Sequence, residues 1–221
     1  MLKDKTIYTI GHSNHEIDYF LELLQSQEIN CIVDVRSTPA SKYNPQFNQK
    51  SLSAFLKKNG VLYMRFGHEF GARQEDEKLL DENGCVNFEW FRKTRAFQDG
   101  VERIDIGLEK GYKIALMCSE GNPLECHRFS MISGYLEEID ISVQHILKDK
   151  SLLSNQGLEA QLLKKFKKKL PQPSLFDPDV DEKKQLKAAY QLHNQWIGWK
   201  PKQENQQENH HDFENHSDLN E

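Results

Sequence analysis

The chain is expected to fold as a three-layer α/β domain, a mostly parallel sheet with helices on both faces. Three observations carry that expectation. Short β-branched and aromatic runs recur at residues 6–10, 29–35, 61–66, 113–118 and 141–146. Between them lie longer stretches whose apolar residues return every three to four positions, the alternation that specifies strand–helix–strand units. The second and fourth runs, INCIVDV and KIALMC, are nearly all apolar, as strands are when helices cover both faces of a sheet.

Taken in order, TIYTI stops at the turn Gly11-His12-Ser13-Asn14. Ser13 or Asn14 is placed to cap a helix with the stripe Ile17, Phe20, Leu21 and Leu24. The second run ends in Asp34-Val35-Arg36-Ser37-Thr38-Pro39, where proline forbids continuation. Residues 40–50 are polar, with Tyr43 and Phe47, and read as a long ordered loop. Ser51 is the expected cap of a helix through Leu52, Phe55 and Leu56, closed by Asn59-Gly60. After the third run, residues 67–84 are charged and weakly periodic, an insertion or lid with no assigned structure. A helical pattern over 88–111 puts Phe91, Phe97, Val101, Ile104 and Leu108 on one face, with Gly100 weakening it. A helix over 128–138 follows the fourth run, and residues 141–146 are the last expected strand.

A chain of 221 residues has room for one domain and extensions. The α/β domain is assigned to residues 1–150. Residues 151–199 hold a basic helix with KKFKKK, a proline-rich linker over 171–179 and a terminal helix bearing Leu186, Tyr190 and Trp196. Residues 200–221 have almost nothing apolar and are expected to be a disordered tail, its histidines solvated. The net charge of −5 argues against a globally basic nucleic-acid binder but leaves room for a local basic patch. With no membrane-length apolar run or signal-like start, a cytoplasmic location is expected, with Cys31, Cys85, Cys118 and Cys126 reduced.

Ligands of open α/β sheets bind at the carboxyl ends of the strands. Here those ends carry His12 and Ser13, Asp34 and Arg36, His68 and Glu69, and Cys118 with Glu120. Cys126-His127-Arg128 then opens the next helix. A convergent polar cleft follows, with His12, Asp34, Glu120, Cys118 and Cys126 as catalytic candidates. Ser13, Arg36, His127 and Arg128 are the candidates for holding substrate.

The residues also resemble a family. Thr9-Ile10-Gly11-His12-Ser13, then Val33-Asp34-Val35-Arg36 with Pro39 and Ser41, then Leu116-Met117-Cys118-Ser119-Glu120 with Pro123 and Cys126-His127-Arg128, resemble the prokaryotic family known only as "domain of unknown function 488". The resemblance spans roughly residues 6–147. It implies a single α/β domain and places the site, without naming a reaction.

The chemistry is therefore weighed from the residues. A helix start and two neighbouring cations favour a Cys126 thiolate. The strand–loop–Cys–helix order is similar to that of rhodaneses and Cys-based phosphatases. Arg128, however, comes two residues after Cys126 and ten after Cys118, and neither spacing fits the anion loop of those enzymes. A metal held by Cys118, Cys126, His127 and His12 meets two objections. The Cys–Cys spacing of eight matches no short zinc knuckle, and adjacent ligands at 126 and 127 are sterically awkward. No metal or other cofactor is expected. Arg36, Arg128, His12 and the helix start suit a phosphate-bearing ligand.

The leading expectation is thus an enzyme acting on a nucleotide or nucleic-acid substrate, with a link to DNA repair or replication. The alternatives are a thiol-dependent transferase or phosphatase using Cys126 or Cys118, and a non-catalytic DNA- or clamp-binding module. The last rests on Gln172-Pro173-Ser174-Leu175-Phe176, which is similar to the pentapeptide that docks bacterial proteins on the DNA sliding clamp. Gln172, Leu175 and Phe176 would carry that contact.

Overall fold

The structure, a computed structural model, describes residues 5–173, 175 and 178–201. Six strands form one sheet: β1 (Thr6–Gly11), β2 (Cys31–Asp34), β3 (Leu62–Arg65), β4 (Ile114–Cys118), β5 (Ser142–Ile146) and β6 (Leu152–Ser154). Their order is β3-β2-β4-β1-β5-β6. All neighbours are parallel except β5 and β6. The mostly parallel three-layer fold is therefore present. The additional antiparallel strand β6 is too short and too polar at its end for its pattern to show in the sequence.

Alternate residues of each strand serve opposite layers. On one face, Ile7, Val33 and Leu116 join Phe91, Phe97, Ile104 and Met131. On the other, Ile32, Ala115 and Met117 join Phe20, Leu24, Leu52 and Leu56. Helices α1 (Ile17–Ser26) and α2 (Gln49–Lys58) supply the second layer. Neither begins with the expected cap. Glu16 precedes α1 and Asn48 precedes α2, and neither gives a side-chain capping bond. Asn48 is already occupied, its Oδ1 accepting from the Ser41 N–H at 2.6 Å.

The region 67–84 contains a short helix, α3 (Gly67–Phe70), and a 3-10 turn at Glu77–Leu79. The helical pattern beyond it divides into α4 (Phe88–Arg92) and α5 (Arg95–Glu109). The break falls at Thr94, whose hydroxyl accepts from the Phe97 N–H, and not at Gly100. Gly100 lies inside α5 because a Cβ there would stand 2.7 Å from the Glu69 side chain and 2.9 Å from the Phe70 ring. The segment after β4 starts with a π-helical turn, Arg128–Ser133, and only then becomes α6 (Gly134–Glu138). Such widened turns leave carbonyls unpaired within the helix. Here Arg92 Nε donates to Met131 O at 2.9 Å.

The last helices, α7 (Asn155–Phe166) and α8 (Glu182–Ile197), pack on that turn through Leu158, Leu162, Ala189 and Phe129. His193 of α8 bonds Ser130 Oγ at 2.8 Å and Leu124 O at 2.7 Å. Among the described residues no helix is long and apolar enough to cross a membrane.

Candidate functional site

β1 and β4 are adjacent, yet the segments that follow them pack on opposite faces of the sheet. The same divergence separates β4 from β2, its other neighbour, and opens a crevice at the carboxyl ends of that pair. A cleft of about 410 Å³ lies there, bounded by Arg36, Cys118, Glu120, Cys126 and His127. Gly11 is required at the end of β1, because a Cβ would fall 1.9 Å from Glu120 O as the 120–121 loop crosses over. Backbone bonds from His12 N to Cys118 O (2.9 Å) and from Ser13 N to Ser119 O (2.8 Å) lock the two strand ends together.

One group of candidates is built around a buried ion pair. Asp34 Oδ1 accepts from Arg36 N (3.1 Å) and Nε (2.9 Å), and Oδ2 accepts from Arg36 Nη2 (2.6 Å) and Tyr63 Oη (2.7 Å). Arg36 Nη2 also reaches Phe47 O at 2.9 Å. His12 Nδ1 lies 2.8 Å from Ser13 O, which can only accept, so that nitrogen carries the proton. Its Nε2 then accepts from Arg36 Nη1 at 3.0 Å, with the ring stacked on Phe47 at 4.3 Å. Burial first, and the Arg36 charge second, push the His12 imidazole down to about 4. His12 is therefore neutral at neutral pH with both nitrogens engaged, and Asp34 is enclosed by donors.

The second group centres on sulfur. Cys118 Sγ lies 3.0 Å from Glu120 Oε2. His127 Nδ1 is 3.8 Å from Cys118 Sγ and 3.8 Å from Cys126 Sγ, and its Nε2 donates to Val35 O at 3.3 Å. The backbone explains how adjacent residues converge: Cys126 is extended (φ −133°, ψ 141°) and His127 helical (φ −60°, ψ −25°), which turns both side chains to one point. The expected steric objection to a joint role for residues 126 and 127 is thereby removed.

Arg128 N–H donates to Cys126 Sγ at 3.5 Å. The Arg128 guanidinium, 1 % exposed, bonds Glu120 O at 2.6 Å and Gly121 O at 3.1 Å, while its buried Nε has no hydrogen-bond partner among the described residues. Arg36 and Arg128, expected to contact an anion, thus direct their guanidinium groups chiefly at protein acceptors, and Arg128 holds the 120–121 loop that follows Cys118.

Burial opposes ionisation of Cys126, but the Cys118 thiol, Arg128 and His127 outweigh it and hold the Cys126 thiol well below its usual range. Cys118 moves the other way, raised by its hydrogen bond to Cys126 and then by burial. Burial would lower His127, yet the Cys126 charge raises it. Desolvation and the Cys126 charge together push up the Glu120 carboxyl.

Residues 16–136, more than half of the chain, match the family model described as "Domain of unknown function DUF488". The chain belongs to that family. In this DUF488 chain, His12 and Ser13 precede the matched segment, and α7 and α8 follow it. No curated protein matches the chain.

Cys118, Glu120, Cys126, His127 and Arg36 share the cleft. Ser13 instead faces the Gly121 backbone from a left-handed conformation (φ 49°) and donates to Asn14 Oδ1. Glu69 pairs with Arg103, away from the sulfurs. Gln172 folds onto Leu170 O and Leu175 is exposed, whereas Ser174 and Phe176 of the proposed clamp peptide lie outside the described residues.

Sequence reasoning missed Tyr63, Arg73 and the segment from Ile197 to Lys200, all of which bear on the site. Tyr63 lay inside an apolar run and read as packing. Arg73 lay in the unassigned region, and Lys200 more than seventy positions beyond Cys126-His127-Arg128, where no local signal ties it to the cleft.

Proposed function

We propose that the cleft is the active site of an enzyme acting on an anionic, phosphate-bearing substrate of the nucleotide or nucleic-acid class. The observation that carries this reading is the convergence of Cys118, Glu120, Cys126 and His127 at the floor of a cleft that Arg73 and Lys200, both exposed, also line. Two exposed cations beside that floor attract phosphate, and a concave cleft focuses their field on it. Glu120 reaches the cleft and is the group placed for proton transfer, because His12 and Asp34 are enclosed by their own partners.

Equilibrium binding of a mononucleotide panel tests the reading. The double variant Arg73→Ala with Lys200→Ala is expected to bind the preferred nucleotide at least about 10-fold more weakly, with an unchanged melting temperature. Failure of the wild type to bind any member of the panel, or equal binding by the variant, removes it.

A second reading takes Cys126 itself as the nucleophile of a thiol-dependent transferase or phosphatase, and the Arg128 N–H aimed at its sulfur favours it. Selective carboxymethylation of Cys126 at pH 6 supports that chemistry. If neither Cys118 nor Cys126 is labelled, the thiol is not the reacting group.

A further inference from the structure

We propose that Cys118, Cys126 and His127 bind a zinc-class divalent cation, with a fourth coordination position open to the cleft and Glu120 beside it. The argument begins with ligand spacing. In a tetrahedral zinc site with metal–sulfur bonds of about 2.3 Å and metal–nitrogen bonds of about 2.0–2.1 Å, neighbouring donor atoms stand about 3.5–3.8 Å apart. His127 Nδ1 is 3.8 Å from each sulfur, and the three donor atoms all lie within 4.8 Å of one another. The two nitrogen–sulfur distances already match such a tetrahedron, and the two sulfurs have at most about 1 Å to close.

The surroundings match what a metal ligand needs. A ligating histidine usually donates its other N–H to a carbonyl or carboxylate, which fixes the ring. His127 Nε2 does so to Val35 O at 3.3 Å and leaves Nδ1 pointing at the sulfurs. Arg128 N–H supports Cys126 Sγ from behind. Two thiolates and a neutral imidazole cancel a charge of +2, so the loaded site adds no net charge to a region where Cys118 and Cys126 are 4 % and 1 % exposed. Thiolate and imidazole together select zinc or another soft cation over magnesium and calcium.

Only three protein donors are needed, and all three line the cleft, so the remaining position faces the space a substrate would occupy. That is the pattern of catalytic rather than structural zinc sites. A bound zinc supplies an ionised water near neutral pH, and Glu120, which lines the same cleft as the three ligands, is placed to shuttle its proton. This inference rests on the enzymatic reading above and deepens it to a hydrolytic, metal-dependent class. It also excludes the second reading, since a sulfur bound to metal is not a free nucleophile.

The test uses the full chain, purified without an affinity tag, and its metal content by mass spectrometry after dialysis. The wild type is expected to retain about one zinc per chain. Cys118→Ser, Cys126→Ser and His127→Ala should each lose at least nine-tenths of it. Cys85→Ala should retain it, because Cys85 contacts Asn194 and the C-terminal helix instead. All variants carry the same tail, so histidines beyond residue 201 contribute equally. A measurement that needs no variant is cobalt titration of the chelator-stripped wild type, expected to give tetrahedral d–d bands and sulfur-to-cobalt charge transfer at one equivalent.

Equal zinc in wild type and the three variants, or no cobalt–sulfur bands, overturns the proposal. Carboxymethylation of Cys126 at the same rate with and without chelator overturns it too. Nucleotide binding lost through Arg73 and Lys200 while zinc is absent leaves the enzymatic reading intact and removes only the metal. Zinc bound without any nucleotide affinity removes the substrate class and leaves the metal.

Discussion

Asp34 accepts four hydrogen bonds while lying out of reach of water. Its partner Arg36 is 4 % exposed, so removal of the carboxylate alone strands a buried guanidinium. Asp34→Ala is expected to cost about 3–5 kcal/mol in urea unfolding, and Asp34→Leu with Arg36→Met to recover most of that. A single-variant cost well under 1 kcal/mol would show that the pair is not holding the site. Another residue-scale effect concerns pH. Burial first, then the Arg128 charge, push His145 from 6.5 down to about 3. Below pH 6.5 the unfolded chain takes up a proton at this position that the folded chain refuses. Its contribution is therefore complete above that pH and is lost as pH falls towards 3, by about 1.4 kcal/mol per pH unit. His145→Gln should lose less stability than wild type between pH 7 and pH 5; identical losses would contradict this account.

The elements show where local sequence rules yield to packing. Gly100 sits mid-helix, where alanine would ordinarily gain about 1 kcal/mol from helix propensity. Its missing Cβ is filled instead by Glu69 and Phe70 of α3, with contacts that would fall at 2.7–2.9 Å. Overpacking of that kind costs about 1–3 kcal/mol, so Gly100→Ala is expected to lower the urea midpoint. An unchanged or raised midpoint would mean that α3 can shift away. The π-helical turn at Arg128–Ser133 is a second case. Its pattern reads as an ordinary helix start, but the widened turn lets Ser133 Oγ bond Arg128 O at 2.8 Å and sets Arg128 under the 120–121 loop.

At the scale of the whole molecule, the C-terminal helix completes the cleft. His193 anchors both flanks of the Cys126–Arg128 stretch, through Leu124 and Ser130, and residues 197–200 line the cleft that the sulfurs share. Deletion of residues 182–221 removes that wall and uncovers the cluster around Phe129, Leu158 and Leu162. It is expected to lower the melting temperature by more than about 5 °C, given the apolar side chains exposed. The intact chain should melt in one transition. A separate early transition for α8, with the sheet unaffected by the deletion, would make this helix an independent appendage.

What the sequence determined by itself is what short-range physics controls. Alternating apolar runs and three-to-four periodicity specify strands, helices and a parallel sheet, and strand ends rich in His, Asp, Arg and Cys mark the end that carries the cleft. What only the tertiary structure decided is which of those side chains face one another. Asp34 and Arg36 neutralise each other, His12 is spent on Arg36, and Cys118 meets His127 across a loop. Arg73 and Lys200 arrive from segments far apart in the chain. Hydrogen-bond partners are set by distances of a few ångströms between residues many positions apart, and no local period encodes them.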